Sequence, residues 1–171
     1  AKLLHGLRED ERLGILHTDN GNPSIIAENL EPSEAITKTL VETLSDGAVL
    51  SFGLESADPS VHEANWLNCD PAQLKTAIRL INKHGRVRGE RGLPRLLPGL
   101  NFIAGLNGET EATYGMNMDL LRDIRSEGLL LRRINIRQVE GEGFQEVPSD
   151  AFAQFKTCLL YTSPSPRDRS S

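Results

Sequence analysis

Two spacings of apolar residues take turns along this chain, one helical and one extended. Leu3, Leu4 and Leu7 recur at helical spacing, and "RLGILHTDN" then reads as a short buried strand over about Leu13 to His17. From Ser33 a helix follows, with Ile36, Leu40, Val41 and Leu44 on one face and Gly47 as its stop. "AVLSFGLE" is the second strand. Asp70 opens the next helix, with Pro71 in its first turn and Gln73 in the capping-box position. Leu74, Ala77, Ile78 and Ile81 form its apolar stripe, and Gly85 ends it. "LNFIAGL" predicts a third strand. The helix after "NGET" turns Tyr114, Met118, Leu121 and Ile124 inward and stops at Gly128, and "LLLRRINIRQV" is the last strand. Strands that alternate with crossover helices predict a parallel sheet in an α/β fold. A segment of a (β/α) barrel and a doubly wound sheet both satisfy this pattern. No Gly-x-Gly-x-x-Gly follows any strand, so the dinucleotide-binding form of the second lacks its fingerprint.

Period two sorts the strand residues by face. Leu50, Phe52 and Leu54 oppose Ser51, Gly53 and Glu55; Phe102, Ala104 and Leu106 oppose Asn101, Ile103 and Gly105; Ile134 and Ile136 oppose Arg133, Asn135 and Arg137. In a barrel the helices take the apolar face. Ser51, Glu55, Asn101, Arg133, Asn135 and Arg137 then point into the lumen, and the same parity adds His17 and Asp19. Barrel sites form at the C-terminal strand ends, where Glu55 and "GLNGET" lie. Taken singly, each residue has a plainer role: a solvated strand-end acid, a structural histidine, arginines paired with internal acids. The set is the stronger evidence. Two guanidiniums facing a lumen, Arg133 and Arg137, suit an anionic substrate group, phosphate or carboxylate.

Composition narrows the setting. The chain has 171 residues, 38% hydrophobic and 25% charged, enough for one domain or a piece of a larger one. No apolar run approaches the roughly 18 to 20 residues of a membrane span, and the first residues show no signal-peptide pattern. A net charge of −5 argues against a broadly nucleic-acid-coating surface. Cys69 and Cys158 form neither a disulfide framework nor a metal-ligand spacing, which fits a reducing cytoplasm. "GRVRGERGLPRLLPG", with Arg86, Arg88, Arg91 and Arg95, precedes a strand and is expected as a solvated connection; RNA or partner binding is the sharper reading. "CLLYTSPSPRD", from Cys158, matches a translated transposase adapter codon by codon. Residues 158–171 are therefore expected to be non-native and disordered, and residues 1–157, which open at Ala1 without a methionine, to be a fragment cut at both ends.

"FGLESADPSVHEANWLN" followed, after one helix, by "NFIAGLNGET" resembles the radical S-adenosylmethionine (SAM) superfamily. There a strand ending in Gly-x-Glu/Gln-Ser lies beside one ending in hydrophobic-x-Gly-x-x-Gly-Glu-Thr. "LHTDNGNP" and "LLLRRINIRQV" sharpen the likeness to a branch that carries a C-terminal helix-hairpin-helix. The similarity spans most of residues 1 to about 144. It implies a partial (β/α) TIM-like barrel, S-adenosylmethionine, a 4Fe-4S cluster, and a 5′-deoxyadenosyl radical that abstracts a substrate hydrogen. It also implies that Glu55, followed by Ser56, holds the ribose hydroxyls and that Asn101 is a second ribose contact. Ile103 would pair its backbone with adenine, and Gly105 would let the nucleoside approach closely.

Three departures stand out. The Cys-x-x-x-Cys-x-x-Cys that ligates the cluster is absent and is expected upstream of Ala1, as is the Gly-Gly-Glu-like stretch that contacts the methionine amino group. Where many relatives place an arginine for the methionine carboxylate, this sequence has Leu67 between Trp66 and Asn68, leaving Asn65 or Asn68 for the task. The fragment is therefore expected to be inactive by itself. Two alternatives compete: a non-radical (β/α) barrel enzyme acting on a phosphorylated metabolite, with "GLNGET" as a phosphate loop, and a non-catalytic nucleic-acid-binding module using the arginine loop or the missing C-terminal region.

Overall fold

The computed structural model describes residues 2–139, 141, 142, 144 and 146–162. Seven helices and four strands follow one another over these residues: α1 (Lys2–Glu9), β1 (Asn20–Gly21), α2 (Pro23–Glu28), α3 (Leu30–Thr43), β2 (Ala48–Glu55), α4 (Pro59–Asn65), α5 (Pro71–Gly85), β3 (Leu96–Ala104), α6 (Glu111–Ser126), β4 (Arg133–Gln138) and α7 (Ser149–Thr162). The strands form one parallel sheet in the order β1-β2-β3-β4. Strand order never reverses, and the helices build one core on one side of the sheet. Leu50, Phe52, Leu54, Leu100, Phe102 and Ala104 supply the sheet's share of that core, against Leu74, Ile78 and Ile81 of α5, Ile124 of α6, and Phe152 and Phe155 of α7.

The helix starts have a shared local cause. Asn22, Asp58 and Asp70 each cap a helix whose next residue is a proline. The cap oxygen accepts first-turn amides, and proline fits the first helical position because its missing N–H has no partner to lose there. At Asp70 the capping box with Gln73 is complete, as the sequence predicts. The helix predicted after "NGET" forms too, with Tyr114 and Ile124 buried and Met118 and Leu121 packed at its margin.

Several expectations need correction. Leu13 to His17 is not a strand: Leu13 and Ile15 are exposed, and sheet pairing begins only at Asn20. Leu16 is instead tied to Ser45, accepting its N–H and donating to its Oγ, so the segment runs past the start of β2 before joining it. Ile36 is also exposed; α3 buries Ser33, Thr37 and Thr43, and its hydroxyls bond back to the preceding turn. Strand β3 starts at Leu96, through Pro98, rather than at Leu100. Helices α2, α4 and α7 are additional, and α7 carries helical backbone through residues 158–162, the start of the segment expected to be disordered. Residues 163–171 lie outside the described residues. Among the described residues no helix is long and apolar enough to cross a membrane.

Candidate functional site

The face of the sheet opposite the helices carries a polar row that runs from Arg133, the first residue of β4, to Glu55, the last of β2. Register places Gly99 beside Arg133 and Asn101 beside Asn135, so side chains of one parity meet across the strands. Arg133 Nη2 donates to Ser51 Oγ at 2.9 Å, and Asn135 Nδ2 donates to Asn101 Oδ1 at 2.9 Å. Gly99 makes the first pairing possible, since a Cβ there would lie 2.9 Å from Val49 Cγ1 and 3.2 Å from Arg133 Cγ.

Glu55 ends β2 in an unusual conformation. The register with β3 slips between Gly53 and Glu55, and Glu55 has φ of 69°, the left-handed region that a side chain disfavours. Its carboxylate folds back over Gly53, where an added Cβ would collide with Oε1. Gly53 is therefore the residue that leaves room for this carboxylate. Burial raises the Glu55 pKa above the ordinary carboxylate value, and the Arg137 charge offsets part of that rise.

A cleft of about 440 Å³ opens beside Glu55 between the ends of β1 and β2. Asn20, Asn22, Gly53, Trp66 and Asn68 line it with Glu55. Trp66 is the left-handed C-cap of α4, with φ of 54°, and is 89% exposed. Glu55 and Trp66 are the two non-glycine residues with positive φ among the described residues, and both face this cleft. Strained backbone is concentrated where ligands are clamped more often than chance would place it.

The loops around the cleft are fixed to their neighbours. Asn65 donates to the Asn107 carbonyl at 2.8 Å and accepts its N–H at 3.2 Å, joining α4 to the loop after β3. Asn117 Oδ1 accepts the Ala57 N–H at 2.7 Å, and Thr113 Oγ1 donates to Asp58 Oδ2 at 2.6 Å. In the "GLNGET" loop, Gly105 (φ 98°) donates its N–H to the buried Glu109, which also accepts the Tyr114 hydroxyl. Burial and the Glu109 charge push the Tyr114 phenol upward, so it stays protonated as the donor. A buried carboxylate occupying the loop's amide is poor ground for a phosphate.

Of the residues named from sequence, Ser51, Glu55, Asn101, Ile103, Arg133, Asn135 and Arg137 share the open face. Ser56, His17 and Asp19 go elsewhere. Ser56 is fully buried, and its Oγ accepts the Asp58 N–H at 3.2 Å in the turn that starts α4. His17 lies with Gly47, Val49 and Leu97 toward the N-terminal strand ends. Asp19 contributes its backbone carbonyl to Ser51 N–H while its side chain is exposed. Both predictions fail for one reason: the sheet begins at Asn20, and it is Asn20 that lines the cleft. Asn65 is spent on Asn107, which leaves Asn68 in the cleft. The arginine loop folds at the N-terminal end of the sheet, with a bridge between Arg88 and Pro94 and with Arg91 N–H on Asp46. The sequence signal for the missed wall residues is the pair of X-Pro helix starts at Asn22 and Asp58, which place α2 and α4 around Glu55.

A singly wound parallel sheet with helices on one side and a polar cleft at its C-terminal strand ends is thus the class of architecture. No protein-family model matches the chain. It is 43% identical over 138 residues to an uncharacterised protein of Methanocaldococcus jannaschii, an alignment covering 81% of this chain and 25% of that protein. It is 46% identical over 129 residues to an uncharacterised protein of Archaeoglobus fulgidus, covering 75% of this chain and 24% of that one. The chain therefore spans about a quarter of the length of the curated relatives it matches.

Proposed function

We propose that this chain is the nucleoside-binding middle of a radical S-adenosylmethionine enzyme, its sheet forming part of a (β/α) barrel with the open polar face as the lumen. Sequential parallel strands with helices on one side support a barrel rather than a doubly wound sheet, whose strand order reverses. The observation that carries the reading is Glu55: a partly desolvated carboxylate held in left-handed backbone over a glycine, at the C-terminal end of a parallel strand. Its two oxygens match the two hydroxyl donors of a ribose diol, and the amide of Asn101 stands on the same face. Bound there, S-adenosylmethionine would supply a sulfonium whose carbon–sulfur bond can be cleaved reductively.

The cluster does not fit this chain. Among the described residues no three His, Cys, Asp or Glu are grouped to hold a metal. Burial lifts the Cys69 thiol to about 12, so it stays protonated and is no thiolate ligand. The cluster would be held by another part of a longer protein. The substrate would carry an anionic group: Arg133 is bonded to a neutral hydroxyl and Arg137 is exposed, so both guanidiniums can still receive one.

Calorimetric titration of the chain with S-adenosylmethionine and with S-adenosylhomocysteine tests the nucleoside site. Both should bind saturably, and Glu55→Gln should weaken both by about ten- to a hundredfold, the scale of hydrogen bonds to a charged group. No binding to the unmodified chain, or equal binding by Glu55→Gln, would overturn the proposal.

A further inference from the structure

We infer that Trp66 is the cation-facing wall of the Glu55 cleft, and that the cleft receives the sulfonium end of the ligand; this rests on the nucleoside reading of Glu55. Trp66 is the chain's only tryptophan, yet it is left 89% exposed. Among the described residues it is the most exposed of the large hydrophobic side chains. Its backbone is not free to wander: α4 ends in a left-handed cap at Trp66, whose N–H donates to the His62 carbonyl, and the preceding residue, Asn65, is bonded to Asn107 on both sides of its amide. The ring is thus carried on a fixed stem at the mouth of the cleft.

The charge pattern of the cleft selects its occupant. Glu55 is its one carboxylic acid, Asn20 and Asn68 offer neutral amides, and among the described residues no lysine or arginine lines it. A carboxylate and an aromatic ring lining one cleft, with Arg137 on the opposite, β4 side of Glu55, are the chemistry of an organic-cation site. The cleft lies on the β1 side of Glu55, whereas Asn101 and Ile103 lie on the β3 side. A nucleoside whose ribose rests on Glu55 and whose base extends toward β3 must direct its 5′ substituent toward β1 and Trp66. This also accounts for the missing arginine. The end of the ligand that reaches this cleft is recognised by its positive sulfur, and its carboxylate is left to neutral donors such as Asn68.

A single tryptophan makes the intrinsic emission a local probe. Titration with S-adenosylmethionine should change Trp66 emission saturably, and trimethylsulfonium chloride at high concentration should do so where sodium chloride does not. By calorimetry, the cationic S-adenosylmethionine should bind about three- to thirtyfold more tightly than the neutral S-adenosylhomocysteine. Trp66→Ala should erase that preference while Trp66→Phe keeps most of it. The exposed ring makes neither substitution a threat to folding. Equal binding of both nucleosides with Glu55 dependence intact, and no change on Trp66→Ala, would overturn this inference while leaving the nucleoside site standing. Emission that responds to trimethylsulfonium while neither nucleoside binds would keep Trp66 as a cation wall and overturn the nucleoside site instead.

Discussion

Glu55 combines two conditions that a purely structural residue avoids, a left-handed backbone and a carboxylate withdrawn from water. The first costs about 1–2 kcal/mol for a residue with a Cβ, and the second is visible in its raised pKa. Glycine at the same position removes both, at the expense of extra freedom in the unfolded chain. Glu55→Gly should therefore stabilise the fold by about 0.5–1 kcal/mol in urea unfolding, while abolishing nucleoside binding. A loss of stability would show that the carboxylate holds the sheet together, and would remove the reason to read it as a ligand group. The face of Glu55 was legible in the alternation of "SFGLE". The bulge was not, because it depends on Gly53 giving the returning carboxylate room. The residue beside it in the cleft, Asn20, is legible only once the pairing of β1 with β2 is known.

At the scale of elements, the helices after β2 and β3 are fastened together by side chains that sequence spacing does not connect. Asp58 caps α4 through Ser60 and also accepts the Thr113 hydroxyl from α6. Burial by itself would raise the Asp58 pKa, but hydrogen bonds from Ser60, Thr113 and Val61 outweigh it and hold the carboxyl below its ordinary value. A depressed folded-state pKa contributes stability that is fully present above the unfolded value, about 4, and is lost as pH falls through the lower folded value. Asp58→Asn should thus cost about 1–2 kcal/mol at neutral pH, as expected for losing a charged cap and one buried bond. Urea unfolding across pH should show the gap between the two proteins closing on acidification. A gap that stays constant would mean that the Asp58 charge does not matter. Only the Asp70 cap was read from its proline and capping box; the same X-Pro signal precedes α2 and α4, helices that the apolar spacing did not announce. The strand expected over Leu13 to His17 failed because apolar spacing reports a capacity for burial, and Leu13 and Ile15 have nothing to bury against.

For the whole molecule, stability depends on one core on one side of the sheet, and α7 helps to close it. Phe155 is 2% exposed, meets Phe102 edge to face at 5.4 Å, and stands 5.9 Å from Tyr114. Phe155→Ala should cost about 3–5 kcal/mol in thermal or urea unfolding, the range for emptying an aromatic site in a packed core. A cost below about 1 kcal/mol would show that α7 is an appendage and that the sheet is closed without it. The sequence by itself determined the α/β class, the parallel strands, the apolar face that meets the helices and the polar row opposite, because periods of two and 3.6 residues translate directly into faces. Tertiary structure alone decided where the first strand begins, that Asn65 and Ser56 are spent inside the scaffold, and that Glu55 and Trp66 open onto one cleft. Those outcomes depend on pairing register and on contacts between residues dozens of positions apart, and no local period encodes either.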